Sequence, residues 1–340
     1  VLSASIRIAI DVMGGDRGPR CIVSAARRSL SLYPSLHITL VGAADCVEPL
    51  LTPADLASGR IVLRPAREQI LADDPPASVL RGKRDASMRV ALQLVRDAEV
   101  DGCLSAGNTG ALMVLARSVL GTLDGVRRPA IMAALPVSGK LCHVLDLGAN
   151  VDCPAEQLFE FALMGSAAAA QLSGNPAPRV ALLNIGSETH KGNRQVRDAA
   201  ALLASCAQLN YIGHIEGDGL FRGEADVVVC DGFVGNVLLK ASEGLAGYLQ
   251  AELRAAVAGS RLLRWLAPLV LHATRAVRER HDPARYNGAS LLGLRGVVMK
   301  SHGAADEAAM VAAIGHTMRA CEVRLPERIA GCVQEYRAAL

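Results

Sequence analysis

The 340-residue chain has a formal net charge of +3, and 51% of its residues are hydrophobic but only 3% are aromatic. So small a charge argues against nucleic-acid binding by charge alone, and a core of Ala, Val, Leu and Ile is typical of parallel strands covered by helices on both faces. The nine cysteines form no C-x-x-C pair, so we expect reduced thiols in a cytosolic protein and neither a disulfide framework nor a zinc site.

Short β-rich runs alternate with longer helical stretches along the chain, which predicts an α/β fold with a mostly parallel sheet. We expect one domain over residues 1–340, with a helical hairpin projecting at about residues 240–285. The predicted strands are Arg7–Val12, His37–Val41, Arg60–Leu63, Gly102–Leu104, Ala130–Ala134, Cys142–Leu147, Arg179–Ile185, Tyr211–Ile215, Asp226–Cys230 and Gly296–Met299. The predicted helices include Pro19–Leu32, Arg84–Ala98, Gly110–Leu120, Pro154–Leu172, Asn193–Gln208, Val234–Trp265 and Asp306–Arg324.

Glycines and small polar residues gather where the predicted strands end. Because ligands bind beyond the carboxyl ends of strands in an open parallel sheet, we expect these loops to converge on one crevice. The residues concerned are Asp11, Gly14, Gly15 and Asp16, then Ser105, Gly107, Asn108 and Thr109, then Asp146 and Asn150, then Asn184, Lys191 and Asn193, and finally Asp231 and Asn236.

The SAGNTG loop is the best candidate for binding a phosphate. Glycine lets the backbone approach a ligand closely, and a helix N-terminus offers unpaired N–H groups with a partial positive charge. Ser105, Asn108 and Thr109 stand at the start of the predicted helix Gly110–Leu120. The alternative is that these side chains only cap that helix.

Other sites are less strongly indicated. The chain has neither a G-x-x-x-x-G-K-[ST] loop nor a G-x-G-x-x-G pattern after its first strand, and the carboxylates follow no recognised metal-ligand spacing. We therefore predict no cofactor and no metal. His190 and His302 could act as bases, and Lys191 and Lys300 beside them could neutralise an anion, although each is also compatible with an ordinary loop position.

Taken together, the loops resemble those of the PlsX family of phosphate acyltransferases. The resemblance runs from the first strand almost to the C-terminal helices. It rests on IAIDVMGGD, SMRVALQLV, SAGNTGALM, RPAIMAALP, LDLGANVDC, LLNIGSETHKGN, VVVCDGFVGNVLLK and LLGLRGVVMKSHG. The chain departs from the family pattern at SETH before KGN, at Asn287 in YNGAS and at Asp218 in EGDGLF.

The resemblance implies a Rossmann-like α/β/α fold related to phosphotransacetylases and to isocitrate and isopropylmalate dehydrogenases. It implies transfer of a fatty acyl group from acyl carrier protein to inorganic phosphate, at the start of phospholipid synthesis. It also implies a cytosolic homodimer that associates peripherally with membrane.

For this reaction we expect phosphate to attack the thioester directly, without a cysteine nucleophile. Ser105, Gly107, Asn108 and Thr109 would hold phosphate with Lys191 and Asn193. Amide donors at Asn150, Asn193 and Asn236 would stabilise phosphate or the oxyanion, while Asp231 and His302 would orient groups or accept a proton.

Residues 253–285 are rich in arginine and apolar at their centre, with Pro268 in the middle of the apolar run. This pattern predicts a tip that contacts anionic lipid or acyl carrier protein, or a dimer interface. The tip residues are Leu262, Trp265, Leu266, Leu269 and Val270. No stretch of about 18 uncharged apolar residues occurs, and the N-terminus has no signal-peptide pattern.

Two other functions remain open from sequence. One is an NAD-dependent hydroxyacid dehydrogenase on a related fold, which would need a dinucleotide site and usually a carboxylate cluster. The other is a non-enzymatic scaffold for lipid-synthesis proteins at the membrane, which would not need so many polar loops at strand ends.

Overall fold

A computed structural model describes residues 5–259 and 283–338. Its strands are β1 (Ile6–Asp11), β2 (Leu36–Gly42), β3 (Ile61–Pro65), β4 (Gly102–Ser105), β5 (Ala130–Val137), β6 (Lys140–Leu145), β7 (Val180–Leu183), β8 (Tyr211–Ile215), β9 (Val227–Val229), β10 (Ala289–Leu292) and β11 (Val297–Lys300). Within the described residues all eleven belong to one sheet, in the order β3-β2-β1-β4-β11-β10-β5-β6-β9-β7-β8.

Helices connect most of the successive strands, and two more follow β11. They are α1 (Gly18–Leu32), α2 (Ala44–Val47), α3 (Pro53–Ala57), α4 (Pro76–Arg81), α5 (Ser87–Arg96), α6 (Thr109–Leu120), α7 (Ala155–Ser173), α8 (Arg194–Ala204), α9 (Gly217–Arg222), α10 (Gly232–Gly259), α11 (Glu307–Glu322) and α12 (Leu325–Ala338). Among the described residues, no helix is both long enough and apolar enough to cross a membrane.

The two faces of the sheet carry separate cores because alternate residues of each strand point to opposite sides. Ile8 and Ile10 of β1 belong to the core beneath α1, α7, α11 and α12. Ala9, between them, belongs to the core beneath α5 and α6. The result is three layers, α/β/α, as the resemblance implied.

Most neighbouring strands are parallel, as predicted, but the sheet reverses direction at its centre. Strand β10 is antiparallel to both β11 and β5, and β5 is antiparallel to β6. The strands β1, β4 and β11 therefore run in one direction, and β6, β7 and β9 run in the other. The five polar loops follow strands of both directions, and their convergence on one crevice stays a prediction.

The ten predicted strands are all present, with ends shifted by no more than three residues. Strand β10 was not predicted, because the four residues Ala289–Leu292 show no alternation and are bounded by Gly288 and Gly293. The predicted helix Val234–Trp265 corresponds to α10 as far as Gly259.

Candidate active site

The first polar cluster is built around the buried carboxylate of Asp11 at the end of β1. The hydroxyls of Ser87 and Ser105 each donate a 2.6 Å hydrogen bond to it. Burial raises the pKa of Asp11, while these hydrogen bonds and two from the following backbone oppose the rise. Ser105 also accepts a 3.1 Å hydrogen bond from the N–H of Gly107, so Asp11 orients the start of the SAGNTG loop.

Three glycine-containing turns meet at this edge of the sheet. A Cβ added to Gly14 would lie 2.7 Å from the nitrogen of Gly107, which is closer than a methyl group can approach. Gly15 has a φ of +94°, a conformation that favours glycine. The N–H of Asp16 donates a 2.8 Å hydrogen bond to the carbonyl of Gly303. These turns therefore approach one another closely, and the approach of their backbone to a ligand stays a prediction.

Asn108 is the N-cap of α6. Its Oδ1 accepts a 2.9 Å hydrogen bond from the N–H of Ala111, and its Nδ2 donates a 2.7 Å hydrogen bond to the carbonyl of Ala72. The capping role considered from sequence is thus present. Thr109 and Gly110, which follow in the first helical turn, are exposed. Their N–H groups lack the intrahelical acceptor that later residues have, so they are available to an anion.

Lys300, the last residue of β11, lies directly beside Ser105 in the parallel pairing of β11 with β4. Its Nζ donates to the carbonyl of Ala106 at 3.4 Å and to the carbonyl of Ser301. Burial lowers the pKa of Lys300 to about 8. The side chain is therefore an ammonium group held against the backbone of the SAGNTG loop.

The loop after Lys300 is held by Asn287, one of the departures from the family pattern. Its Nδ2 donates 2.8 Å hydrogen bonds to the hydroxyl of Ser301 and the carbonyl of Ala309. Its Oδ1 accepts a 2.9 Å hydrogen bond from the N–H of His302. The His302 Nδ1 accepts from the N–H of Ala304 at 3.1 Å, so Nε2 is the ring nitrogen left to face solvent.

The second polar cluster is built around the buried carboxylate of Asp146, in the loop that follows β6. Its two oxygens accept hydrogen bonds from the N–H groups of Ile131, Ala149 and Asn150 and from the Asn150 side chain, at 2.7–3.1 Å. Burial raises the pKa of Asp146, and these donors oppose the rise. The Asn150 Nδ2 also donates to the carbonyl of Pro129 at 2.9 Å. Both Nδ2 hydrogens of Asn150 are therefore used inside the protein.

The loop between β7 and α8 contributes three predicted site residues. Asn193 caps α8, because its Oδ1 accepts a 2.9 Å hydrogen bond from the N–H of Val196. Asn184 Nδ2 donates a 3.2 Å hydrogen bond to the carbonyl of Lys191. The Lys191 ammonium pairs with Glu188 at 2.8 Å, and both side chains are substantially exposed.

Asp231 joins α10 to this cluster. One carboxylate oxygen accepts a 2.8 Å hydrogen bond from the N–H of Val234, and the other accepts from Gln195 Nε2 at 3.4 Å. The N–H of Gly232 donates to the carbonyl of Asn150 at 2.7 Å. The first turns of α8 and α10 are thereby fixed to the loop that follows β6.

One face of α10 connects the two clusters. The side chain of Asn236 is exposed and lies against Gly148, where an added Cβ would be 3.5 Å from the Asn236 Cβ. Its amide makes no hydrogen bond to the rest of the described chain. Lys240 follows one helical turn later on the same face, and its charge contributes to the lowered pKa of Lys300. The face of α10 that carries Asn236 therefore extends from the second cluster towards the first.

The predicted site residues thus form two groups. The first cluster contains Asp11, Gly14, Gly15, Asp16, Ser105, Gly107, Asn108, Thr109, Lys300 and His302. The second cluster contains Asp146, Asn150, Asn184, Lys191, Asn193, Asp231 and Asn236. The predicted tip residues Leu262, Trp265, Leu266, Leu269 and Val270 lie outside the described residues.

Ser87 is a member of the first cluster that sequence analysis missed. It opens α5 and reaches Asp11 across 76 positions. In the sequence it is only a serine before an apolar helical run, so no local signal indicated this contact.

The cysteines nearest the two clusters are poorly suited to nucleophilic chemistry. Cys103 precedes the SAGNTG loop and Cys230 precedes Asp231, and both are buried. Burial raises the pKa of each thiol well above its ordinary value. Neither side chain is a thiolate near neutral pH.

Comparison with known sequences gives consistent matches over nearly the whole chain. A family model described as "Fatty acid synthesis protein" matches residues 6–328. A protein of Pseudomonas fluorescens (strain Pf0-1) named phosphate acyltransferase is 54% identical, covering 98% of this chain and 99% of its own. A protein of the same name from Stutzerimonas stutzeri is also 54% identical, covering 95% of this chain and 90% of its own.

Comparison with solved structures supports the fold. The EutD phosphotransacetylase of Staphylococcus aureus matches with a TM-score of 0.61 at 16% identity, over 94% of each chain. A phosphotransacetylase of Streptococcus pyogenes matches with a TM-score of 0.60 at 19% identity, also over 94% of each chain. A third match is a Salmonella typhimurium protein whose structure is described as that of a putative 4-hydroxythreonine-4-phosphate dehydrogenase. Its TM-score is 0.53 at 14% identity, over 93% of this chain and 99% of its own. At these identities the likeness concerns the architecture alone.

Proposed function

We propose that this chain, which belongs to the phosphate acyltransferase family, transfers a fatty acyl group from acyl carrier protein to inorganic phosphate for phospholipid synthesis. The observation that carries this proposal is the 54% identity, over 98% of the chain, to a relative named phosphate acyltransferase. The first cluster supports it independently, because exposed N–H groups at the start of α6 suit an anionic nucleophile.

Inorganic phosphate binds at the start of α6 in this proposal. The N–H groups of Thr109 and Gly110 donate to its oxygens, and the partial positive charge of the helix end favours a dianion. Ser105, Gly107 and Asn108 hold the loop in place, since their side-chain or backbone donors already bond within the protein. This revises the expectation that the Asn108 side chain itself grips phosphate.

The second cluster receives the acyl thioester. The Asn236 amide makes no hydrogen bond within the described chain and lies against Gly148 in the loop after β6, so we assign it to the developing oxyanion on the thioester carbonyl. Lys191 and Asn193 belong to the same cluster, so we assign them to the acyl donor and not to phosphate. The exposed ammonium of Lys191 suits an acidic carrier protein.

The transfer needs no covalent intermediate on the protein. A phosphate oxygen attacks the thioester carbonyl carbon, and the carbonyl oxygen becomes an oxyanion. The oxyanion then collapses, the carbon–sulfur bond breaks, and the carrier leaves as a thiolate that takes a proton from solvent. Binding both reactants in the right orientation supplies most of the acceleration that such a reaction requires.

The decisive experiment mixes the protein with palmitoyl-acyl carrier protein and ³²P-labelled phosphate. We expect labelled acyl-phosphate and free carrier thiol in equal amounts. Absence of label in the lipid fraction contradicts the proposal. NAD with a panel of hydroxyacids provides a second arm, in which a rise in absorbance from NADH would favour the dehydrogenase alternative.

We further propose a cytosolic homodimer that contacts anionic membrane peripherally. Several large apolar side chains of α10 are exposed beyond its first two turns, and the arginine-rich segment 253–285 follows them in sequence. The exposed residues are Leu245, Tyr248, Leu249 and Leu253. An apolar helix face of this kind is suited to burial against a second copy or a lipid surface.

A further inference from the structure

A carboxylate, a hydroxyl and an ammonium group lie in one row across three neighbouring strands. Asp11 pairs with Ser105 in the alignment of β1 with β4, and Ser105 pairs with Lys300 in the alignment of β4 with β11. Paired residues of parallel strands point to the same face of a sheet. This face is the one covered by α5 and α6, so the row ends beside the start of the SAGNTG loop.

The Lys300 ammonium is the cation of this row, and it has no ion-pair partner in the described chain. Its hydrogen-bond acceptors, the carbonyls of Ala106 and Ser301, carry no formal charge. No carboxylate of the described chain lies within ion-pair distance of it. Both oxygens of the nearby Asp11 carboxylate are already engaged by serine hydroxyls. A partly buried cation in this condition is stabilised by an anion that enters from solvent.

The other lysines near the clusters are already paired. Lys191 pairs with Glu188 and Lys240 pairs with Glu243, each at 2.8 Å. Their side chains are 41% and 56% exposed, so water and salt screen them more strongly than Lys300.

We propose that the Lys300 ammonium binds the inorganic phosphate nucleophile as its principal counter-charge. It holds the phosphate between the end of β11 and the first N–H groups of α6. This inference rests on the proposed function, since it names the cation of the same phosphate site.

The proposal has a consequence for pH. Burial lowers the pKa of Lys300 to about 8, the carboxylates of Asp11 and Asp16 oppose this, and Lys240 adds to it. The ammonium is therefore present below pH 8 and is lost as the pH rises through that value. The KM for phosphate should rise above pH 8, whereas Lys300→Arg, which stays charged, should remove this rise.

The test that does not depend on turnover is amine labelling of the wild-type protein. Acetic anhydride at pH 8 modifies lysines in their neutral form, and peptide mass spectrometry gives the rate at each site. We expect saturating inorganic phosphate to slow labelling of Lys300 at least about fivefold, while chloride at equal ionic strength has no such effect. Lys140, which pairs with Asp226, is the internal control and should label equally in both salts.

Kinetic variants give the second readout. Lys300→Met should raise the KM for phosphate at least about tenfold, the size expected for a lost hydrogen bond to a charged group, and leave the KM for the acyl donor close to wild type. Lys300→Arg should restore most of the phosphate affinity. A purely structural lysine would instead lower kcat or stability without this selective effect on phosphate.

The outcomes separate the inference from the proposed function. Acyl-phosphate formation together with phosphate-independent labelling of Lys300 overturns the inference alone, even if Lys300→Met does not fold. Failure to form acyl-phosphate overturns the proposed function, whether or not phosphate protects Lys300.

Discussion

The hydroxyl of Ser105 donates a 2.6 Å hydrogen bond to the buried carboxylate of Asp11, although 94 positions separate the two residues. Ser87 donates a second hydrogen bond of the same length to that carboxylate. The two serines differ in one respect: Ser105 also accepts the N–H of Gly107 and Ser87 does not. This difference makes them a matched pair for mutation.

Ser105→Ala and Ser87→Ala should each lower the free energy of unfolding by about 1.5–3 kcal/mol, because each removes a hydrogen bond to a buried charged group. Only Ser105→Ala also releases the SAGNTG loop, so it should raise the KM for phosphate more than Ser87→Ala does. Urea unfolding and phosphate saturation curves measure the two effects. Equal phosphate KM values in the two variants would show that the Ser105 contact does not organise the phosphate site.

Asn236→Ala should lower kcat by about 10²–10³, the usual cost of removing one oxyanion donor, and leave the free energy of unfolding within about 0.5 kcal/mol of wild type. Its matched control is Asn150→Ala. That variant removes the side-chain donor to the Asp146 carboxylate and to the Pro129 carbonyl, so its main effect should be on stability. A kcat close to wild type for Asn236→Ala would remove Asn236 from the reaction.

Cys103→Ala and Cys230→Ala should keep most of the acyl transfer activity, apart from packing losses, because both thiols are buried with raised pKa values. Mass spectrometry of the protein after mixing with acyl donor in the absence of phosphate provides the check. An acyl group attached to either cysteine would contradict direct attack by phosphate.

Gly235→Ala should prevent α10 from packing on the second cluster, because the added Cβ would lie 1.9 Å from the carbonyl oxygen of Asp146. Gly244→Ala lies on the same helix, and outside that helix's own backbone no atom of the described residues is within 4 Å of the added Cβ. It should stabilise the protein by about 0.5–1 kcal/mol, since alanine favours a helix over glycine. Thermal unfolding of both variants tests the pair, and a Gly235→Ala protein as stable as wild type would contradict the observed packing.

The double variant Leu266→Glu with Leu269→Glu should lose its binding to anionic vesicles and should still transfer acyl groups to phosphate in solution. Burial of each large side chain in the interfacial layer is worth about 1.5–3 kcal/mol, and two acidic groups reverse this preference. Vesicle sedimentation and size-exclusion chromatography are measured together. Continued sedimentation contradicts membrane contact, and loss of sedimentation only on conversion to monomer favours a dimer interface.

The loops of both clusters could be predicted from sequence because their signals are local. Glycine, serine, asparagine and aspartate after a short apolar run mark a strand end, and the side chains at SAGNTG, LGAN and CDGFVGN lie at such ends. Whether an asparagine caps a helix or faces a ligand depends on distant partners. The side chain of Asn108 donates a hydrogen bond to the carbonyl of Ala72, and that of Asn150 donates one to the carbonyl of Pro129. The side chain of Asn236 makes no hydrogen bond within the described chain.

The reversal of strand direction has a local signal in the sequence. Strands β5 and β6 are joined by only Ser138 and Gly139, and Gly139 has a φ of +76°. A two-residue connection with glycine is typical of a β-hairpin, which is antiparallel by necessity. The predicted strands end at Ala134 and begin again at Cys142, which leaves seven residues between them. Strand ends misplaced by two or three residues concealed the reversal.

The position of β11 determines when the sheet can be completed during synthesis of the chain. This strand is the last in sequence, yet it lies in the interior of the sheet between β4 and β10. The bond from Lys300 to Ala106 spans 194 residues, so the two halves of the first cluster leave the ribosome far apart in time. Closing so long a segment is entropically costly and slow. The edge of β4 that pairs with β11 therefore stays unpaired until β11 itself has been made.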